Sequence, residues 1–268
     1  MKSSNKKVTE FLHSQYKVVK EKILNKADGS LDKIYSGYEL IGEGTQKKIY
    51  RVYDSRCSRF VAMAVLKGSE ESEKNQFLRE AKITALLQHP NIMPVYETGI
   101  NDDGILYFTM KLSKGESLKD YLKNNAALSL QDKFNIFIRV CDGLIYAHSK
   151  GIIHRDIKPD NIYIGQFGEV LLCDWGLANI VYVDCDEEIL DDETISELDL
   201  KVSLKGQIKG TPGYIAPEII SSTEYSFQSD IFALGAVLHF MLTNEVPVKG
   251  KKSDEILKNS DGRNCLSV

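Results

Sequence analysis

The chain changes its hydrophobic period once, near residue 114, and that change limits the folds open to it. Before it, short β-branched and aromatic runs alternate with turn residues: YELIGEG (38–44), KKIYRVYD (47–54), RFVAMAVL (59–66), IMPVYETGI (92–100) and GILYFTMKL (104–112). Runs of this kind read as strands, and the last two flank an NDDG turn. One helix interrupts them. EKNQFLREAKITALLQ (73–88) sets Phe77, Leu78, Ala81, Ala85 and Leu86 on one side, and HPN ends it. After residue 114 helical periods dominate, in ESLKDYLKNN, LQDKFNIFIRVCDGLIYAHSK and SDIFALGAVLHFMLTN. The expectation is an α+β chain, a small β-rich part (37–113) followed by a larger helical part (114–268). The preceding extension (1–36) carries Val8, Phe11, Leu12, Val18, Val19, Ile23 and Leu24 at roughly helical spacing and is stopped by ADGS. It reads as an N-terminal helix, docked or loose, rather than a membrane-surface one, because its polar face is only modestly basic.

Composition removes several function classes. With 268 residues, 43% hydrophobic and 27% charged, the chain can form one large domain or two packed lobes. A net charge of −4 offers no general attraction to nucleic acid or to a membrane surface. The five cysteines (Cys57, Cys141, Cys173, Cys185, Cys265) are scattered and form no C-x-x-C, so they read as free thiols rather than a metal site or a disulfide framework. The first residues lack an apolar core of signal-peptide type, and the apolar run IFALGAVLHFML (231–242) is too short to span a bilayer. A soluble cytoplasmic protein without a membrane span is expected. The acidity is concentrated in DCDEEILDDETISELD (184–199), which has nine acidic residues and no basic one. Such a run is ordinarily solvated.

The chemistry is densest in IHRDIKPDN (153–161). Phosphoryl transfer to a hydroxyl needs an acceptor for the hydroxyl proton, a cation near the transferred group, and a metal ligand. Asp156, Lys158 and Asn161 supply those three within six positions. LLCDWGLA (171–178) adds Asp174, a hard oxygen donor suited to Mg²⁺, after a buried-type strand. GTPGYIAPE (210–218) and SDIFALG (229–235) follow in order.

Taken together, these motifs resemble the eukaryotic-type protein kinase family, over about Tyr38 to Leu242. The resemblance implies a two-lobed kinase-like fold with ATP and Mg²⁺ as cofactors and a protein bearing Ser or Thr as substrate. Lys158 in HRDIKPDN and Thr211 in GTPGY resemble the serine/threonine branch, and Arg155 is typical of members controlled by phosphorylation of the activation segment. Trp175 stands where the family usually has Phe, a large aromatic for another. By the same resemblance Asp156 orients the substrate hydroxyl, Lys158 neutralises the moving phosphoryl group, and Asn161 and Asp174 hold Mg²⁺. Glu80 matches the glutamate that pairs with the phosphate-binding lysine. The adenine is expected between Ala62 and the hinge near Met110, Lys111 and Leu112, under the loop of Gly42, Glu43 and Gly44, with Ile49 against it.

Two departures matter. The third strand should carry that lysine at position 64, which is Ala64, while the third glycine position of the loop is Lys47. Strand side chains alternate faces, so Lys47, Ile49 and Arg51 share one face and Lys48 the other. Ala62 and Ala64 share a face, and Lys67 has the opposite parity. Lys47 alone can refill the gap, an arrangement that resembles the with-no-lysine kinases. If Ala64 is instead an introduced substitution, the chain is an inactive kinase and Lys47 is incidental. The second departure is the end. The family continues through further helices, one carrying an arginine that pairs with the glutamate here at Glu218, and Arg263 comes too early to be that residue. The expectation is a truncated or divergent helical lobe, with a buried Glu218 carboxylate short of its partner at a cost of about 3–5 kcal/mol. The leading expectation is a serine/threonine kinase using Lys47. The alternative is a pseudokinase or inactive fragment acting as a regulatory binding module.

Overall fold

The alternating first half becomes a five-stranded antiparallel sheet with strand order β1-β2-β3-β5-β4. Its strands are β1 (Tyr35–Glu43), β2 (Lys47–Asp54), β3 (Arg59–Leu66), β4 (Val95–Ile100) and β5 (Leu106–Met110), with helix α1 (Glu71–Leu86) between β3 and β4. The remaining elements are β6 (Gly115–Ser117), α2 (Leu118–Asn124), α3 (Leu130–Ser149), β7 (Ile152–Ile153), β8 (Ile162–Gly165), β9 (Val170–Leu172), β10 (Asn179–Ile180), α4 (Pro217–Ser222) and α5 (Phe227–Thr243). The structure, a computed structural model, describes residues 34–181 and 208–247. Residues 1–33 of the N-terminal extension, the acidic run 184–199 and the chain after Pro247 lie outside the described residues, while Tyr35 and Ser36, read as part of that extension, already belong to β1. The fold is α+β and divides into two compact units. One takes the chain up to Leu78 together with Val95–Leu112, and the other takes Arg79–Pro94 together with the chain from Ser113.

In the strand-rich unit the two sheet faces differ. Val52, Val61, Met63 and Tyr107 cluster with Tyr35 on one face. On the other, Ala64 pairs with Ile49 and Phe108, and the Phe77 ring from the first turns of α1 lies 5.0 Å from that of Phe108. A polar knot ties the start of β1 to β4. The Tyr35 hydroxyl donates to Glu97 at 2.7 Å, and Arg56 donates to both Tyr35 (2.8 Å) and Glu97 (2.7 Å). Burial, then the Glu97 carboxylate, push the Tyr35 phenol well above its ordinary range.

The helical unit is built around Leu118, Val140, Leu144, Ile157, Trp175 and Val237, all buried. Helices α2 and α3 begin with the same device. Ser117 and Ser129 accept from the backbone N–H of Asp120 and Asp132, at 3.1 Å in each case, satisfying a donor the helix leaves open. Gly143 sits where α3 meets the chain at Asn91. A side chain there would come within 3.0 Å of the Asn91 carbonyl oxygen. The stripe expected on α1 is turned from the sequence reading. Phe77, Glu80, Ala81, Ile83 and Thr84 are buried, whereas Ala85 is exposed. Buried Glu80 and Thr84 widen the stripe on the side away from Ala85, a widening that hydrophobicity alone does not reveal.

Candidate active site

In the strand-rich unit, Gly44 donates to the Lys47 carbonyl at 2.9 Å, which closes a two-residue turn, Thr45–Gln46, between β1 and β2. The turn delivers Lys47 onto the face that carries Ala64. Register pairs Lys47 with Leu66, Ile49 with Ala64 and Arg51 with Ala62, and Phe108 lies opposite Ala64 on β5. The Lys47 ammonium stands 5.9 Å from the centre of the Phe108 ring. Ala62 and Ala64 are buried, and Met110 pairs with Ala62. Lys67 leaves β3 on the other face and folds back, donating to the Glu43 carboxylate at 2.7 Å and to the Gly44 carbonyl at 3.3 Å. The hydrogen bond and charge of Lys67 hold the Glu43 carboxyl below its usual range.

In the helical unit the residues of HRDIKPDN form a closed set of bonds. Lys158 donates to Asp156 Oδ2 and to Thr211 Oγ1, both at 2.7 Å, and Thr211 donates to Asp156 Oδ1 at 2.8 Å. Asn161 Nδ2 donates to the Asp156 carbonyl (2.8 Å) and to its Oδ2 (3.0 Å). That fixes the Asp156 side chain and turns the Asn161 carbonyl oxygen, a hard donor, away from it. The backbone N–H of Cys173 donates to the Asn161 backbone carbonyl, not its side-chain Oδ1, at 2.9 Å, tying the residue before Asp174 to this loop. Asp174 is exposed and takes a positive φ of 64°. A side chain at Gly176 would meet Glu80 Oε2 at 3.2 Å and Asp174 Oδ1 at 3.5 Å, so two carboxylates converge on that glycine. Asn161 and Asp174 are oxygen donors of the kind Mg²⁺ prefers, and the residues present fit it. Glu80 belongs to the helical unit, Lys47 to the strand-rich one.

Four supporting residues carry no role in the sequence reading. Asp230, on α5 and 1% exposed, accepts from the backbone N–H of His154 (2.7 Å) and of Arg155 (2.9 Å) and lies 2.9 Å from His148 Nε2. It holds Arg155 at its positive φ of 71°. The sequence signals it through its place in SDIFALG and as a carboxylate at the start of an apolar helix, without assigning it a role. His154 has Nε2 3.0 Å from the Cys173 carbonyl, and Nδ1 accepts from Asp156 N at 3.3 Å. A carbonyl only accepts, so the proton sits on Nε2. The His154 ring packs on Trp175 at 4.5 Å. Trp175 is buried, and among the described residues its indole N–H has no hydrogen-bond partner. Thr211, read from the sequence only as a branch marker, bridges Asp156 and Lys158. Tyr225 lies 3.8 Å under the Arg155 guanidinium. Burial lowers the pKa of that guanidinium, against the raising influence of Tyr225.

Glu218 corrects an expectation. It is exposed on α4, so the cost of a buried, partnerless carboxylate does not apply to it.

A β-sheet of this order, an Asp–Lys–Asn loop braced by a buried helix carboxylate, and a following Asp-Trp-Gly define the protein kinase class. Residues 35–266 match the family model described as protein kinase domain, and the chain belongs to that family. It is 38% identical over 239 residues to serine/threonine-protein kinase PknD of Chlamydia caviae, a match that covers 83% of this chain and 25% of that protein. It is 37% identical over 242 residues to the PknD of Chlamydia trachomatis serovar D, covering 83% and 26%. For the Chlamydia muridarum PknD the identity is 38% over 242 residues. The chain thus spans about a quarter of the length of the curated relatives it matches. Among the described residues no helix is long and apolar enough to cross a membrane.

Proposed function

We propose that this chain is a serine/threonine protein kinase that transfers the γ-phosphoryl group of ATP to a protein hydroxyl. The observation that carries the reading is the set of bonds joining Asp156, Lys158, Asn161 and Thr211. It holds a carboxylate and an ammonium in fixed orientation before any substrate arrives. Preorganised charge is the main source of rate in this chemistry, because little reorganisation is left to the transition state. In this reading Asp156 orients the acceptor hydroxyl and Lys158 faces the charge of the moving phosphoryl group. Asn161 and Asp174 hold Mg²⁺, which neutralises charge on the phosphates. In the strand-rich unit Ala62, Ile49, Met110 and Leu112 take the adenine. Gly42, Glu43 and Gly44 form the loop over the phosphates, and Lys47 takes the role of the lysine absent at Ala64. The family and the named relatives support the reaction type. The protein substrate is of Ser/Thr class.

One observation favours a second reading. Ala64 is fully buried and carries no charge at the position that defines phosphate binding elsewhere in the family. A binding module without transfer activity is consistent with it. The two separate on one experiment. Transfer from radiolabelled ATP to a generic Ser/Thr protein, and to the chain itself, is measured beside a thermal shift with Mg-ATP. A kinase shows both signals, and Asp156→Asn removes transfer while keeping the shift. A shift without transfer in the parent chain identifies the binding module.

A further inference from the structure

Tyr225 stands between α4 and α5, outside the Asp156 bond set, yet it grips the segment that carries Thr211. Its hydroxyl accepts from the backbone N–H of Lys209 at 2.9 Å and donates to the carbonyl of the same residue, so both backbone groups of Lys209 close on one side chain. The tyrosine ring is the surface on which the Arg155 guanidinium stacks. Between Lys209 and Thr211 lies Gly210, at a φ of 125° that suits glycine. A side chain on Gly210 would come 3.2 Å from the Arg155 carbonyl oxygen. Lys209 and Gly210 are therefore seated on the loop that carries Asp156. Two residues of extended chain span at most about 7 Å, so fixing Lys209 confines Thr211. On the far side, the Tyr214 N–H donates to the Thr211 carbonyl at 3.1 Å.

We propose that Tyr225 is a positioning residue for phosphoryl transfer. Its hydroxyl seats Lys209, and that seat keeps Thr211 between Asp156 and Lys158. The proposal rests on the kinase reading. It names a residue outside the Asp156 bond set that acts through Lys209 and Thr211. Tyr225 also packs beside Ile215, Ala216 and Ile219, so its removal as a whole side chain confuses packing with positioning. Tyr225→Phe keeps the ring beneath Arg155 and removes only the two bonds to Lys209.

The test compares the full chain with Tyr225→Phe, Thr211→Ala and the double variant, at varied ATP. Losing two neutral hydrogen bonds should lower kcat about 5–20-fold while KM for ATP stays within about twofold. The double variant should be no slower than Thr211→Ala alone, since the seat acts through that hydroxyl. Trypsin cleavage after Lys209 gives a readout independent of activity and should quicken about tenfold in Tyr225→Phe, with the melting temperature of the chain little changed. Parental kcat in Tyr225→Phe overturns the proposal. So does an equal loss in the Thr211→Ala background, or an unchanged cleavage rate. A parent chain with no transfer at all overturns the kinase reading instead, and the Tyr225–Lys209 seat then stands or falls on the cleavage rate.

Discussion

At residue scale, Lys47 is the most exposed assignment. Its face, its turn and its distance from Phe108 place an ammonium on the sheet face where Ala64 leaves room. Lys47→Ala is expected to lower transfer about 10²–10³-fold, the range for loss of one preorganised charge. Lys67→Ala removes an exposed pair with Glu43 whose charges water screens, and should change the rate only a few-fold. Ala64→Lys introduces a second ammonium on the face of Lys47 and should not raise activity unless Lys47 is removed as well. Phosphate transfer by the three variants and the Lys47/Ala64 double is the measurement. A fully active Lys47→Ala, or a dead parent revived by Ala64→Lys alone, rejects the assignment. Trp175 offers a separate probe. It is the single tryptophan of the chain, buried beside Asp174. Its emission should change when Mg-ATP binds, and Asp174→Ala should abolish the Mg²⁺-dependent part. Among the described residues the indole N–H has no partner, which costs about 1–3 kcal/mol. Trp175→Phe removes that cost while losing ring volume, so its melting temperature should fall less than a core truncation of similar size.

At the scale of elements, two buried polar ties hold strands and helices in register. Asp230 anchors the loop that carries Asp156 to α5 through two backbone N–H groups. Asp230→Ala strands both donors in the interior and should cost about 3–5 kcal/mol in denaturant unfolding, with transfer lost as well. The Tyr35–Glu97–Arg56 knot does the same for β1 and β4. Its pH dependence follows from the raised phenol. The folded state keeps the Tyr35 proton above pH ~10, where an unfolded tyrosine releases it, so folded chains bind more protons and stability falls as pH rises. Unfolding monitored from pH 8 to 11 should show that fall, and Tyr35→Phe should flatten it. An unchanged slope in the variant would assign the fall to other groups. Both knots escaped the sequence reading for one reason. Each partner is separated from the others by tens of residues, as Tyr35 is from Glu97 and Asp230 from His154. Neither hydrophobic period nor motif spacing carries that pairing.

At the scale of the whole molecule, the acidic run 184–199 lies outside the described residues and between Asp174 and Glu218. We expect it to restrain transfer, because it adds nine carboxylates where a protein substrate approaches in this family. Deleting 184–199 should raise kcat/KM or change substrate preference, and an unaltered profile marks the run as an inert insertion. Phosphate on Thr194 or Ser196 would add like charge to it and should deepen the restraint. By itself the sequence determined the α+β class, the five strands and one helix that precede residue 113, the Asp156–Lys158–Asn161 loop and the face on which Lys47 lies, but not the short strands β6, β7, β8 and β10. These follow from local rules, since side-chain alternation and motif spacing are properties of a few consecutive residues. The tertiary structure decided what surrounds them. It brought Thr211 to Asp156 across 55 positions, set Asp230 under the loop and Tyr225 under Arg155, and turned Glu218 to solvent. Those choices depend on which buried polar groups find each other once the chain has closed. An unpaired donor or carboxylate in the interior costs more than any local preference supplies, so the global packing settles them.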